Sequence, residues 1–393
     1  MDIDPTEAKP EAPPETPSRR PPGANRVALV LQGGGALGAY QAGVYQALHE
    51  AGIEPDVIAG VSIGAINGAL IAGNPPERRL ERLHDFWTTI TARPAGAWSW
   101  PFAVDGDEPR RAMNTIAAMQ AMTYGQPGFF TPNFPNAWIS PRGSKTATSL
   151  YDTAPLRETL TRLVDFDLLN RGPVRYAAGT VAVRSGNFRY FDTTEDRIGP
   201  EHVMASGALP PALPMVQIGE DCYWDGGLIS NTPLQHVMEN AGPTRMILFQ
   251  VDLFSARGRL PRDMMDVLGR EKDIRYSSRT RMVTDTYKER FRERRILRAL
   301  LAKVPEDRLS AEEKALKTAC EALPELTLLH LIYEQAAYEG QAKDYEFSAA
   351  SMREHWEAGH RDTKATLARK AWIRVGGGPT GLVVHDMHRP EEG

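Results

Sequence analysis

Three short stretches of this chain put polar groups where acyl or phosphoryl chemistry could use them. The first is Gly33-Gly34-Gly35-Ala36-Leu37-Gly38. It follows the continuously apolar run Val27-Ala28-Leu29-Val30-Leu31 and precedes a segment, 39–51, with Val44, Leu48 and Ala51 at helical spacing. Glycines between a strand and a helix let backbone N–H groups point outward unobstructed, and beside a helix N-terminus they favour negative charge. That charge could be a phosphate or the oxyanion of an acyl-transfer intermediate. Gly33, Gly35 and Gly38 also fit the dinucleotide fingerprint, which needs an acidic residue about 20 positions on, at the end of the second strand. The acids near that distance, Glu54 and Asp56, precede the second strand, which counts against a nucleotide.

The second stretch is Gly60-Val61-Ser62-Ile63-Gly64, between the short apolar run Val57-Ile58-Ala59 and an apolar helix from about Gly64 to Ala72. Where a buried strand turns abruptly into a helix, the apex residue takes strained angles and projects outward, and flanking glycines remove the side chains that would block the crossing. A serine there exposes its Oγ at the positive end of a helix, which suits a nucleophile. The bland alternative is a small serine filling a tight turn. The third stretch is Asp225-Gly226-Gly227, directly after the apolar Cys222-Tyr223-Trp224. A carboxylate freed by two glycines at a strand end can reach a cleft, although an Asp-Gly turn is by itself ordinary. The nine histidines are His49, His84, His202, His236, His330, His355, His360, His385 and His388, and none lies in a catalytic motif.

These residues need a scaffold. The strand-helix-strand-helix rhythm of 26–72 predicts an α/β fold around a mostly parallel sheet. Hairpin signals follow at 174–191, turning at Ser185-Gly186-Asn187, and at 216–224, turning at Gly219-Glu220-Asp221; 246–253 is a further buried strand. The stretch 93–149, rich in Pro, Gly and Trp, is too long for a simple connection and predicts a cap or lid. Its Trp98, Trp100, Phe129, Phe130 and Trp138 would line an acyl pocket or form the core of the cap. Beyond 257 the character changes to helices, with a strand at 326–333 and a final helix at 348–372.

Taken in order, the glycine loop, the Gly60–Gly64 elbow and Asp225-Gly226-Gly227 resemble the patatin-like phospholipase family, over roughly 26–253. The run Ala205-Ser206-Gly207-Ala208-Leu209-Pro210 resembles that family's segment ahead of its aspartate. The resemblance implies a three-layer α/β/α fold with a mostly parallel central sheet, plus a mainly helical C-terminal extension like that of one bacterial branch. It implies a dyad without histidine, Ser62 as nucleophile and Asp225 as proton acceptor. Backbone groups of the loop Gly33, Gly34, Gly35, Ala36 and Gly38 would form the oxyanion hole. No metal or cofactor is implied. Leu37 stands where the family often has Arg or Lys, which would remove a cation near the scissile bond. The runs Lys343-Asp344-Tyr345-Glu346-Phe347 and 351–356 resemble the bacterial extension. Two rivals remain: an α/β-hydrolase with a Ser-acid-His triad, and a lipid- or acyl-binding module with a silent serine.

Composition sets outer limits. The 393 residues are 41% apolar and 24% charged with a net charge of -4, which gives no global attraction to nucleic acid. Two cysteines, Cys222 and Cys320, far apart, suggest ordinary thiols in a reducing, cytoplasmic setting. No run approaches the length of a membrane span. The expected organisation is a disordered tail over 1–25, a catalytic domain over 26–256, a helical extension over 257–375 and a loose tail over 376–393. Within 272–303, 11 Lys/Arg stand against 4 Asp/Glu beside a stripe that includes Val283, Tyr287, Phe291 and Leu297. Such a face packs on its own domain or makes peripheral contact with a membrane. The partners expected are lipid or other acyl esters, with hydroxyacid esters and thioesters open, and no nucleic acid.

Overall fold

Side chains of the first strand alternate between two separate cores, so its sequence reads as one unbroken apolar run. In the computed structural model, which describes residues 23–97, 106–321, 323–369 and 381–386, Val27, Leu29 and Leu31 enter one core while Ala28 and Val30 enter the other. The chain begins with β1 (Arg26–Leu31), a 3-10 turn (Gly35–Gly38) and α1 (Ala39–Glu50), then repeats the unit as β2 (Val57–Val61) and α2 (Ile63–Ala72). Helix α3 (Pro76–Ile90) leads to α4 (Asp107–Tyr124) and a small antiparallel ribbon of β3 (Thr131–Pro132) with β4 (Tyr151–Asp152). Helices α5 (Ala154–Leu163) and α6 (Phe166–Arg171) return it to the hairpin of β5 (Arg175–Ala182) and β6 (Phe188–Asp192). Then come α7 (Pro200–Ser206), the hairpin of β7 (Val216–Ile218) and β8 (Asp221–Asp225), α8 (Leu234–Glu239) and β9 (Arg245–Asp252). The last third holds α9 (Met264–Tyr276), α10 (Thr280–Leu301), α11 (Ala311–Glu321), β10 (Glu325–Ile332), α12 (Ala349–Ala368) and β11 (Leu382–Asp386).

The sheet runs β11-β10-β9-β1-β2-β5-β8-β7, parallel from β11 to β5 and antiparallel where β6 and β8 join β5. Helical residues such as Tyr45, Leu70, Phe86 and Trp356 fill one core; Leu234, Val237, Tyr287 and Phe291 fill the other. This is the three-layer α/β/α arrangement expected, and its C-terminal region is mainly helical.

Two expectations change in the C-terminal third. The extension is not a body apart: β10 pairs with β9 from Glu325 to Ile332, and the Trp356 indole of α12 donates to Gln46 of α1 at 2.6 Å. The tail after 376 is not all loose either, because Leu382–Asp386 forms a parallel edge strand on β10. Three glycines and a proline ahead of so short an apolar run mask it in the sequence. Residues 1–22, 370–380 and 387–393, which hold most of the two tails and the expected end of the last helix, lie outside the described residues.

In the cap, Trp98 and Trp100 also lie outside them. Phe129 and Phe130 are buried, packing on Phe347 and, for Phe130, Tyr151. Trp138 is 89% exposed, so it is neither cap core nor part of an enclosed pocket. On α10 the apolar stripe follows the domestic alternative: Tyr287 and Phe291 pack beneath the sheet, while Arg290, Arg292 and Arg294 face solvent. Among the described residues, no helix is long and apolar enough to cross a membrane.

Candidate active site

Strand register brings the serine and the aspartate together. Val61, the last residue of β2, pairs with Gly179 of β5, and the next β5 residue, Thr180, pairs with Asp225 at the end of antiparallel β8. Ser62 and Asp225 thus leave neighbouring strand ends at the carboxyl edge of the parallel sheet, where open α/β sheets bind ligands. Ser62 has φ 55 and ψ -124, and among the described residues it alone has a positive φ without being glycine. Such strain costs of order 1–3 kcal/mol and persists only where the surroundings impose it. They do: the Ser62 N–H donates to both the carbonyl and the hydroxyl of Ser206, at 3.1 and 3.0 Å, and the Ser206 hydroxyl is anchored on the Gly179 carbonyl at 2.7 Å. A Cβ at Gly60 would strike the Gly64 backbone, and one at Gly64 the Leu31 carbonyl, so both flanking glycines are sterically required.

Asp225 is 2% exposed. Its carboxylate accepts the Ser62 hydroxyl and, at 2.7 Å, the N–H of Gly227, while its own N–H is held by the Ala208 carbonyl at 3.0 Å. Burial penalises the charged form and pushes the carboxyl up to about 7, against the downward pull of those two hydrogen bonds. A carboxylate made this basic can take a serine proton near neutral pH. Ser62 also caps the N-terminus of α2, whose dipole favours negative charge at that point.

The glycine loop is more committed than its sequence suggests. The Gly33 N–H donates to the Asn231 carbonyl at 3.2 Å, and the Ala36 N–H to the Asp344 carbonyl at 2.8 Å. Gly38 serves packing: a Cβ there would collide with Ile63, and its carbonyl accepts from Asn67 at 2.9 Å. Among the described residues, the amides of Gly34 and Gly35 carry no such bond. Leu37 is fully buried in the core cluster.

No described histidine hydrogen-bonds to Ser62 or Asp225. His49 pairs with Glu54, His236 with Asp192, His330 with Asp252, His355 with Glu339 and His360 with Glu50, while the His202 ring accepts the Gly199 N–H and His84 stacks on Trp356. His385 is a residue of β11, and His388 lies outside the described residues. Among the described residues no three His, Cys, Asp or Glu side chains gather as a metal site.

Sequence reasoning missed Asn231, which clasps Gly33 from both sides by also donating its Nδ2 to the Gly33 carbonyl at 3.0 Å. It lies six residues beyond Asp225, in Ser230-Asn231-Thr232-Pro233, a turn-like signature without a visible partner.

The family model for patatin-like phospholipase matches residues 29–238, and a second, described as patatin phospholipase, matches 274–376. Lysophospholipase nte1 of Aspergillus terreus is 65% identical over 46 residues, 12% of this chain and 3% of its own length. Neuropathy target esterase sws of Drosophila melanogaster is 56% identical over 75 residues, 19% of this chain and 4% of its own. The chain therefore spans only a small fraction of the length of these curated relatives. The solved structure of VipD from Legionella pneumophila aligns over 92% of this chain and 72% of its own, at 13% identity and a TM-score of 0.39, too distant to bear on the site.

Proposed function

The chain belongs to the patatin-like phospholipase family, and from that premise we propose that it is a serine acyl hydrolase of lipid esters with Ser62 as nucleophile and Asp225 as base. The strongest support is the strand register that sets the strained Ser62 beside the buried Asp225, whose carboxyl is pushed up to about 7 by burial. Asp225 accepts the Ser62 proton as Oγ attacks the acyl carbonyl, and the carbonyl oxygen becomes an oxyanion held by the Gly34 and Gly35 amides. Collapse breaks the ester C–O bond, and Asp225 returns its proton to the departing alcohol. Water then attacks the acyl-serine with Asp225 again accepting a proton, which releases the carboxylic acid and restores Ser62.

A fluorophosphonate probe tests this directly, because it needs an activated serine and an oxyanion site but no knowledge of the natural substrate. The expected result is one covalent adduct, mapped by mass spectrometry to Ser62. Failure of the wild-type protein to label, or labelling elsewhere, would return the chain to the class of lipid-binding modules. Turnover of a panel of phospholipids, p-nitrophenyl esters of graded chain length and hydroxyacid oligomers then gives the acyl and head-group preference.

Peripheral contact with an anionic membrane, where such esters reside, is a further part of the proposal. It is supported by exposed Arg290, Arg292 and Arg294 on α10, whose apolar face is occupied internally. With that face packed, binding is electrostatic, worth about 1 kcal/mol per basic residue near the surface and screened by salt. Changing the three to Gln should therefore weaken sedimentation with anionic vesicles about 100-fold at low salt. Hydrolysis of a soluble ester should stay unchanged; equal sedimentation of the two proteins would make this face a merely solvated one.

A further inference from the structure

From the geometry around the glycine loop we infer that Lys272 and Asp344, both from the C-terminal extension, are positioning residues that hold the oxyanion loop in register with Ser62. This deepens the hydrolase reading and rests on it. The loop is gripped at both ends and free in the middle. At its far end the Ala36 N–H donates to the Asp344 carbonyl at 2.8 Å, and Gly35, at φ +55, lies so close beneath that a Cβ would strike the same carbonyl. At its near end Gly33 is clasped by Asn231, whose Nδ2 also donates to the Tyr276 carbonyl at 3.0 Å, at the C-terminus of α9. Helix α9 thus reaches both ends of the loop, and the two amides between them, Gly34 and Gly35, are those left for an oxyanion.

What keeps the Asp344 carbonyl in place is a reciprocal pair of dipeptides. Lys272 donates to the Asp344 carboxylate and to the Gln341 carbonyl, each at 2.8 Å, and lies 4.9 Å from the centre of the Tyr345 ring. Its neighbour Asp273 pairs with Lys343 at 2.7 Å, and the Lys343 side chain is only 4% exposed. The sequence Lys-Asp of α9 therefore meets the sequence Lys-Asp of the following loop in crossed ion pairs. This accounts for the Lys343–Phe347 run as a clamp delivered to the catalytic loop rather than a feature of a separate domain. A preorganised donor gains its catalytic value from being fixed before charge develops, and a displacement of about 1 Å can cost 100-fold.

The test combines kinetics with hydrogen exchange in the full-length protein. Lys272→Met and Asp344→Ala remove the same ion pair from opposite sides. Each should lower kcat for a soluble ester roughly 10- to 100-fold with KM little changed, and the double variant should lose no more than either alone. Lys272→Arg should restore most of kcat. Amide exchange in a peptide covering 32–38 should accelerate in both single variants while exchange in β1 and β2 stays slow. Unchanged exchange in 32–38, or unchanged kcat, overturns the inference. So does a loss of kcat accompanied by globally faster exchange that Lys272→Arg does not repair, because that is the mark of a merely structural contact. The exchange measurement needs no turnover, so it decides the clamp even if the fluorophosphonate experiment removes the hydrolase reading.

Discussion

Ser62→Ala and Ser62→Gly should both lose ester turnover by roughly 10⁴-fold or more, and the glycine variant should at the same time be more stable than the wild type. The loss follows from removal of the only atom able to form the acyl-enzyme. The stability change follows from the backbone. Serine and alanine share the same penalty at φ 55, whereas glycine populates that region without a Cβ to clash. Relief of about 1–2 kcal/mol should appear as a higher denaturant midpoint for Ser62→Gly at unchanged slope. Ser62→Ala should stay near the wild type, because the strut that imposes the angles, Ser206 anchored on the Gly179 carbonyl, accepts from the Ser62 backbone N–H rather than touching its hydroxyl. Turnover above a few per cent in either variant would remove Ser62 from the mechanism. A glycine variant no more stable than alanine would mean that the elbow is not strained.

Much of this was legible in the chain because local rules were being obeyed. The alternation of β1 between two cores makes its sequence continuously apolar, and the elbow requires glycines two residues either side of Ser62. Asp225 was less so: a carboxylate before two glycines reads as a common turn, and only its order behind the other two motifs singled it out. The rest was hidden for a shared reason. Ser206 is 144 residues from Ser62, Asn231 is 198 from Gly33, and Asp344 reaches Ala36 through its backbone carbonyl. A backbone carbonyl or amide belongs to every residue type, so no choice of side chain announces these contacts. The basic segment was ambiguous for a different reason. Amphipathic spacing cannot say whether the face meets a lipid surface or, as Tyr287 and Phe291 do, the underside of the protein's own sheet.

Asp225→Asn should be nearly as inactive as Ser62→Ala, with a loss of roughly 10³- to 10⁴-fold, and its stability should rise above that of the wild type as pH rises. The amide keeps the shape: its oxygen can accept the Gly227 N–H and its NH₂ can face Ser62, but it cannot take a proton. The wild-type carboxyl has a folded pKa raised to about 7 from an ordinary 3.8, chiefly by burial. Between those values the folded protein holds a proton that the unfolded chain has released, so wild-type stability falls as pH rises from about 4 to 7 and levels off above. Three pKa units correspond to roughly 4 kcal/mol, a penalty that a neutral amide does not incur. The variant should therefore be close to wild type in denaturant midpoint at pH 4.5 and clearly more stable at pH 8. Wild-type kcat/KM should rise about tenfold per pH unit below 7 and flatten above it, as the free enzyme's base ionises. A profile flat from pH 5 to 8, or a variant that gains no stability between pH 4.5 and 8, would mean that Asp225 is an ordinary ionised carboxylate and that another group takes the serine proton.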